Sequence, residues 1–125
     1  MSGTHRRWLR MDAERARLKR VWAEWFEQYD LLVCPVLPVA AFPHDHTGTL
    51  MDRTIEINGA AASHLDLVKW SGLVGLLGLP SATPPVGRTK AGLPVGIQVV
   101  APYLLDHRAV QAAGLIGGYA PPPDS

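Results

Sequence analysis

Acyl transfer requires a nucleophile, a base to take its proton and donors for the developing oxyanion, and few residues of this chain are able to supply them. Ser63, Ser71 and Ser81 lie in its interior, yet none stands in a Gly-x-Ser-x-Gly elbow, so structural roles are expected for all three. A Cys-His pair is the other route, because an imidazolium stabilises a thiolate. Cys34 is followed by His44 and His46, but it closes the apolar run Leu31-Leu32-Val33-Cys34. A cysteine among apolar neighbours keeps its proton and behaves as a small hydrophobe. His44-Asp45-His46 puts two imidazoles on one side of an extended chain, a spacing that can chelate zinc or copper, with His64, Asp66 and Asp52 as further ligands. Two histidines on a polar loop are more simply solvated. The residues themselves therefore assign no catalytic group, metal or cofactor.

Basic side chains offer a different chemistry. Arg6, Arg7, Arg10, Arg15, Arg17, Lys19 and Arg20 crowd the first twenty positions, although the formal charge of the 125-residue chain is only +1. Arginines on one helical face release counterions from phosphates, but here Asp12 and Glu14 interrupt them and no base-reading motif follows. A solvated helix is expected, not a nucleic-acid surface. Apolar residues at 47% and charged residues at 18% suit a packed globular domain, and a chain of this size buries about two-thirds of its unfolded surface. A single cysteine excludes an internal disulfide, and no apolar run is long enough for a secretory leader or a membrane span. The expected location is the cytoplasm, with no membrane or nucleic-acid partner.

The elements that must position these residues can be read from periodicity. No proline or glycine falls between Thr4 and Tyr29, and Leu18, Val21, Trp22, Trp25 and Tyr29 recur with helical spacing, extended backwards by Trp8 and Met11. Residues 1–29 are therefore read as an amphipathic helix, with Arg20 and Glu24 spaced for an i, i+4 pair. Leu31 to Cys34 reads as a strand buried on both faces, and Pro35, Pro38 and Pro43 hold residues 35–46 extended. Thr47 to Gly59 reads as a flap without periodicity, and Ala60 to Leu77 as a helix weakened by Gly72 and Gly75. Ser81–Val86 and Pro94–Val100 predict two antiparallel strands, the first bulged or at an edge because Pro84 and Pro85 donate no hydrogen bonds. Asp106 caps a short final helix through Ile116, which Gly117-Gly118 ends and Pro121-Pro122-Pro123 keeps from resuming.

Three segments in this order resemble the amidase signature family. Tyr29-Asp30-Leu31-Leu32-Val33-Cys34-Pro35 with Pro38 is similar to its aromatic-Asp-x-Leu-x-x-Pro-x-x-Pro strand and loop. Gly78-Leu79-Pro80-Ser81-Ala82 resembles its Gly-Leu-Pro-Ala turn, and Gly92-Leu93-Pro94-Val95-Gly96-Ile97-Gln98 its Gly-Leu-Pro-x-Gly-x-Gln strand. Each alone is weak, whereas the three together are specific, and the resemblance covers roughly residues 8 to 123. Gly75 departs from the pattern, since many members carry Asn there.

The resemblance implies an α/β fold, with residues 1–125 as the carboxy-terminal portion of one amidase domain and part of a mixed β-sheet with flanking helices. It implies amide-bond hydrolysis by a Ser-cis-Ser-Lys triad without metal or cofactor. The family's triad lies in its first half on a Gly-Gly-Ser-Ser-Gly loop, which does not occur among these 125 residues, so this chain alone is expected to be inactive. Cys34, His44 and His46 are expected on the wall of the pocket for a small amide substrate. The implied partners are an amino-terminal amidase segment or a second copy, joined through exposed sheet edges. The alternative is a non-catalytic interaction module.

Overall fold

The computed structural model describes residues 4–117. Helix α1 (His5–Phe26) begins where Thr4 Oγ1 accepts from the Arg7 amide at 3.4 Å, satisfying a donor that has no partner within the helix. It ends three residues short of Tyr29. Its ion pairs are Asp12–Arg15 and Glu14–Arg17, both 3.0 Å and both spaced i, i+3, instead of the expected Arg20–Glu24 pair. The aromatic stripe is only partly covered. Trp22, Trp25 and Phe26 interlock with ring centroids 5.0–6.1 Å apart, whereas Trp8 is 60% exposed.

Strand β1 (Leu32–Pro35) is followed by a loop that bends over residues 36–39 instead of running extended throughout, and then by β2 (Thr54–Ile57) and β3 (Ala60–Ser63). This pair corrects two expectations, the flap over 47–59 and the helix from Ala60. Asn58 and Gly59 take φ values of 54° and 79°, the left-handed pair that a two-residue hairpin turn requires, and Ile57 faces Ala60 across it. The turn chemistry overrides the helix propensity of Ala60-Ala61-Ala62. The helical part starts only after Ser63, whose Oγ accepts from the Leu65 amide to open a 3-10 turn (His64–Val68) that leads into α2 (Lys69–Leu77).

Gly78 ends α2 in the left-handed conformation, with its amide and that of Leu79 closing onto Gly75 and Val74 carbonyls. Next come β4 (Ser81–Ala82), β5 (Pro85–Arg88), β6 (Pro94–Val100) and α3 (Asp106–Gly117). β6 is central. β1 pairs along one side of it, and β4 and β5 pair with it as two pieces separated at Thr83-Pro84, with a further register shift between Pro85 and Gly87. The proline pair produces the irregularity expected of it. Every described pairing is antiparallel, and three helices with this small sheet make an α/β fold.

Alternation along the strands places Leu32, Cys34, Gln98 and Val100 on one face. There Cys34, Val100 and Val74 of α2 form the core, with Phe26, Leu32 and Leu79 packed against it. Val33 belongs to the opposite face and is 53% exposed, so β1 is not buried on both faces as expected. The reason is its place in the sheet. α3 packs on β4, β5 and β6 and makes no comparable contact with β1, which lies at an edge. Gly118 and the Pro121-Pro122-Pro123 block fall outside the described residues. No helix of the described residues is long and apolar enough to cross a membrane.

Candidate functional site

A cleft of about 390 Å³ opens where the loop after β1 meets the start of β6. Val36 to Ala41 form one wall, Pro94, Val95 and Gly96 the other, and Thr83 closes it from the break between β4 and β5. Two segments of the sequence pattern thus meet here: the proline-rich loop after Cys34 and the Gly-Leu-Pro-x-Gly-x-Gln strand. A bend over residues 36–39, between Pro35 and Ala40, shapes the first wall, and Pro94 with Gly96 shapes the second.

The chemistry-bearing side chains do not converge on this cleft. Cys34 precedes the first wall, with its side chain turned into the core and only 6% exposed. Its Sγ lies 4.0 Å from Gln98 Oε1, and Gln98 Nε2 donates to Ser81 Oγ at 3.1 Å. A polar chain therefore crosses β1, β6 and β4, centred on Gln98, itself buried. Reasoning from the residues missed the weight of Gln98. The available signal was an amide alternating in phase with Val100 on a strand otherwise apolar on that face.

Burial pushes the Cys34 thiol pKa up. The folded chain then binds this proton more tightly than the unfolded chain, so the group's contribution to stability is intact below about pH 8.5 and declines as pH rises past that value. Alkylation reports the same burial directly. Iodoacetamide at about pH 8 is expected to modify Cys34 at least tenfold more slowly in the native chain than in concentrated urea, as followed by mass spectrometry. Equal rates would show an accessible thiolate and restore the Cys-His reading.

His44 and His46 lie exposed further along the same loop, their ring centroids 5.7 Å apart. The carboxylates beside them are committed elsewhere. Asp45 accepts from Thr47 Oγ1 at 2.6 Å and from the Thr47 amide at 2.9 Å, and these bonds, hydroxyl first, hold its carboxyl below the usual range. Asp52 is held the same way by Thr49. His64 packs edge-on against Phe42, with centroids 5.8 Å apart. Among the described residues no group of three His, Cys, Asp or Glu side chains comes together. The two imidazoles and the thiol are also apart, the former exposed and the latter in the core.

The three serines have structural partners. Ser81 accepts from Gln98, Ser63 opens the turn at Leu65, and Ser71 Oγ lies 3.5 Å from the carbonyl of Val68, the residue that caps its helix. What the segment can offer is a shaped wall of mostly apolar side chains with backbone polar groups exposed between them.

The model of the Amidase family matches residues 1–110. This chain belongs to the amidase signature family. Among its curated relatives, a glutamyl-tRNA(Gln) amidotransferase subunit of Synechococcus sp. is 35% identical over 101 residues, covering 79% of this chain. The same protein of Deinococcus deserti is 36% identical over 97 residues, covering 74%. The chain spans only 18% of the length of either relative. A crystal structure of an amidase superposes with a TM-score of 0.72 at 28% identity, covering 92% of this chain and 24% of that one. A second match, with a TM-score of 0.56 and 26% identity, covers 79% of this chain and 23% of a chain described with a vestigial protein complex and the evolutionary origins of an s-triazine catabolic enzyme. The α/β segment is therefore a partial counterpart of longer amidase-family chains.

Proposed function

We propose that this chain is the carboxy-terminal portion of an amidase and that it provides a wall of the amide-binding pocket without providing the nucleophile. The cleft of about 390 Å³ carries this reading, because two of the family-like segments build its opposite walls. Cys34 anchors the base of the first wall through the core, and His44 and His46 stand on its exposed continuation, where imidazoles can meet polar parts of a small amide. Hydrolysis of a carboxamide adds water across the C–N bond, releasing a carboxylic acid and ammonia. In the family mechanism an activated serine attacks the carbonyl carbon, the amine leaves with a proton, and water then cleaves the acyl ester. The hydroxyls of Ser63, Ser71 and Ser81, engaged with the Leu65 amide, the Val68 carbonyl and the Gln98 side-chain amide, suit a segment that leaves this step to a Ser-cis-Ser-Lys set outside these 125 residues.

A partner segment is favoured by the sheet itself. β1 is an edge strand with Val33 half exposed, and an open edge beside uncovered apolar surface invites pairing with another chain. An amino-terminal amidase segment fits that requirement.

The test is ammonia release from simple aliphatic and aromatic amides. The purified chain, freed of host amidases, is expected to release none above the buffer rate, and a separately expressed amino-terminal amidase segment is expected to bind it and restore turnover. Hydrolysis by the chain alone that disappears in Ser63→Ala, Ser71→Ala or Ser81→Ala would overturn the assignment.

A further inference from the structure

A second and larger cavity, about 600 Å³, opens between α1 and the segment joining β6 to α3. Because β1 and β6 run antiparallel, it lies by the Asp30 and Ala101 end of the sheet, away from the loop that carries His44 and His46. Its volume falls within the range of small-molecule sites. The floor is aromatic and aliphatic: Trp22 and Phe26 present tilted rings 6.1 Å apart, beside Leu79.

The rim has the opposite character. Lys19, Arg20 and Arg108 stand on it against a single carboxylate, Glu27. Among the described residues neither Lys19 nor Arg20 makes an ion pair, and Arg108 reaches only the fully solvated Asp30 at 3.8 Å. Lys19 is also held in place. Its Nζ lies 5.5 Å above the Tyr103 ring and 3.6 Å from where a side chain at Gly78 would begin. Next to Tyr103, Leu104 takes φ 62°, a conformation that a branched side chain rarely adopts. The turn is closed by the Leu105 amide on the Pro102 carbonyl at 3.0 Å. Backbone strain of this kind gathers where a binding surface is held in shape.

We propose that this cavity binds an aryl carboxylate, its ring system on Trp22 and Phe26 and its carboxylate among Lys19, Arg20 and Arg108. Apolar contact supplies the area, while the cations select charge by leaving the wrong ligand with an unmet polar end or a repelled ammonium. The inference is independent of the amide-cleavage reading, since it concerns other residues and a binding equilibrium.

Isothermal titration calorimetry of the full chain with 2-naphthoate tests it. Saturable binding with Kd of about 10–100 μM is expected, at least about tenfold tighter than for 2-naphthalenemethanol or 2-naphthylmethylammonium. The double substitution Lys19→Met and Arg20→Met keeps the apolar stems and is expected to weaken 2-naphthoate about tenfold while leaving the neutral alcohol unchanged. Ala23→Trp, on the exposed side of α1, fills the cavity and should abolish binding, with circular dichroism confirming that both variants stay folded. Absence of saturation up to about 1 mM, equal affinity for the neutral or cationic analogue, or wild-type affinity in either variant would each overturn the proposal.

Discussion

Gly96→Val is expected to lower the stability of the chain by about 1–3 kcal/mol and to disrupt the cleft between β6 and the loop after β1. A Cβ at Gly96 would meet the Pro84 carbonyl oxygen and Thr83 Cγ2, both at 3.1 Å. The first of these is backbone, and it is already fixed by accepting from the Ile97 amide at 3.2 Å. A side chain therefore has to push β6 away from the Thr83-Pro84 link that the hydrogen bond holds against it. Gly96 also lines the cleft, so the same displacement moves the wall that the proposed amide would touch. Urea unfolding measures the first effect, and loss of restored ammonia release with an amino-terminal segment measures the second. A Gly96→Val variant as stable as the parent would mean that close strand approach is not what this glycine provides.

Leu77→Ala should cost more, about 2–5 kcal/mol, because the deleted atoms leave a hole as well as losing their transfer energy. Leu77 is 1% exposed and is, with Val99 and Val100, among the largest side chains fully shielded from water. Domains hold a margin of about 5–15 kcal/mol, and one with so few large buried side chains is expected near the lower end. The substitution should then shift the urea midpoint sharply or populate the unfolded state without denaturant. Leu115→Ala is the matched control: that side chain is 72% exposed and its loss should change stability by no more than about 0.5 kcal/mol. Similar effects for the two would contradict the packing described for the end of α2.

Much of the architecture follows from local order. The run from Thr4 to Tyr29 without a helix breaker anticipated α1, the alternation of Val95, Ile97 and Val99 anticipated β6, and Asp106 marked the start of α3. The prolines at 84 and 85 announced the broken strand that β4 and β5 form. The hairpin of β2 and β3 was equally written in Asn58-Gly59 with Ile55 and Ile57 alternating before it. It was obscured because three alanines after the turn favour helix when considered without the turn.

The candidate site was less legible. Cys34, His44 and His46 are close in sequence, yet one is packed under α2 and the others stand in solvent, a separation set by which face of β1 meets a helix. Gln98 acquires its importance only when β1 and β4 flank β6 and supply Cys34 and Ser81 as neighbours. The cavity beside α1 combines residues from the first quarter of the chain with Tyr103 and Arg108, which no spacing pattern connects.

By itself the amino-acid order determined the first and last helices, the strand β6 with the proline break before it, and membership of the amidase signature family, because these depend on residues a few positions apart or on short motifs. Tertiary structure alone decided that Val33 stays open, that Cys34 is sealed beside Gln98, and that cations gather over an aromatic floor. Those outcomes depend on distant segments meeting, and burial, desolvation and charge proximity exist only once they have met.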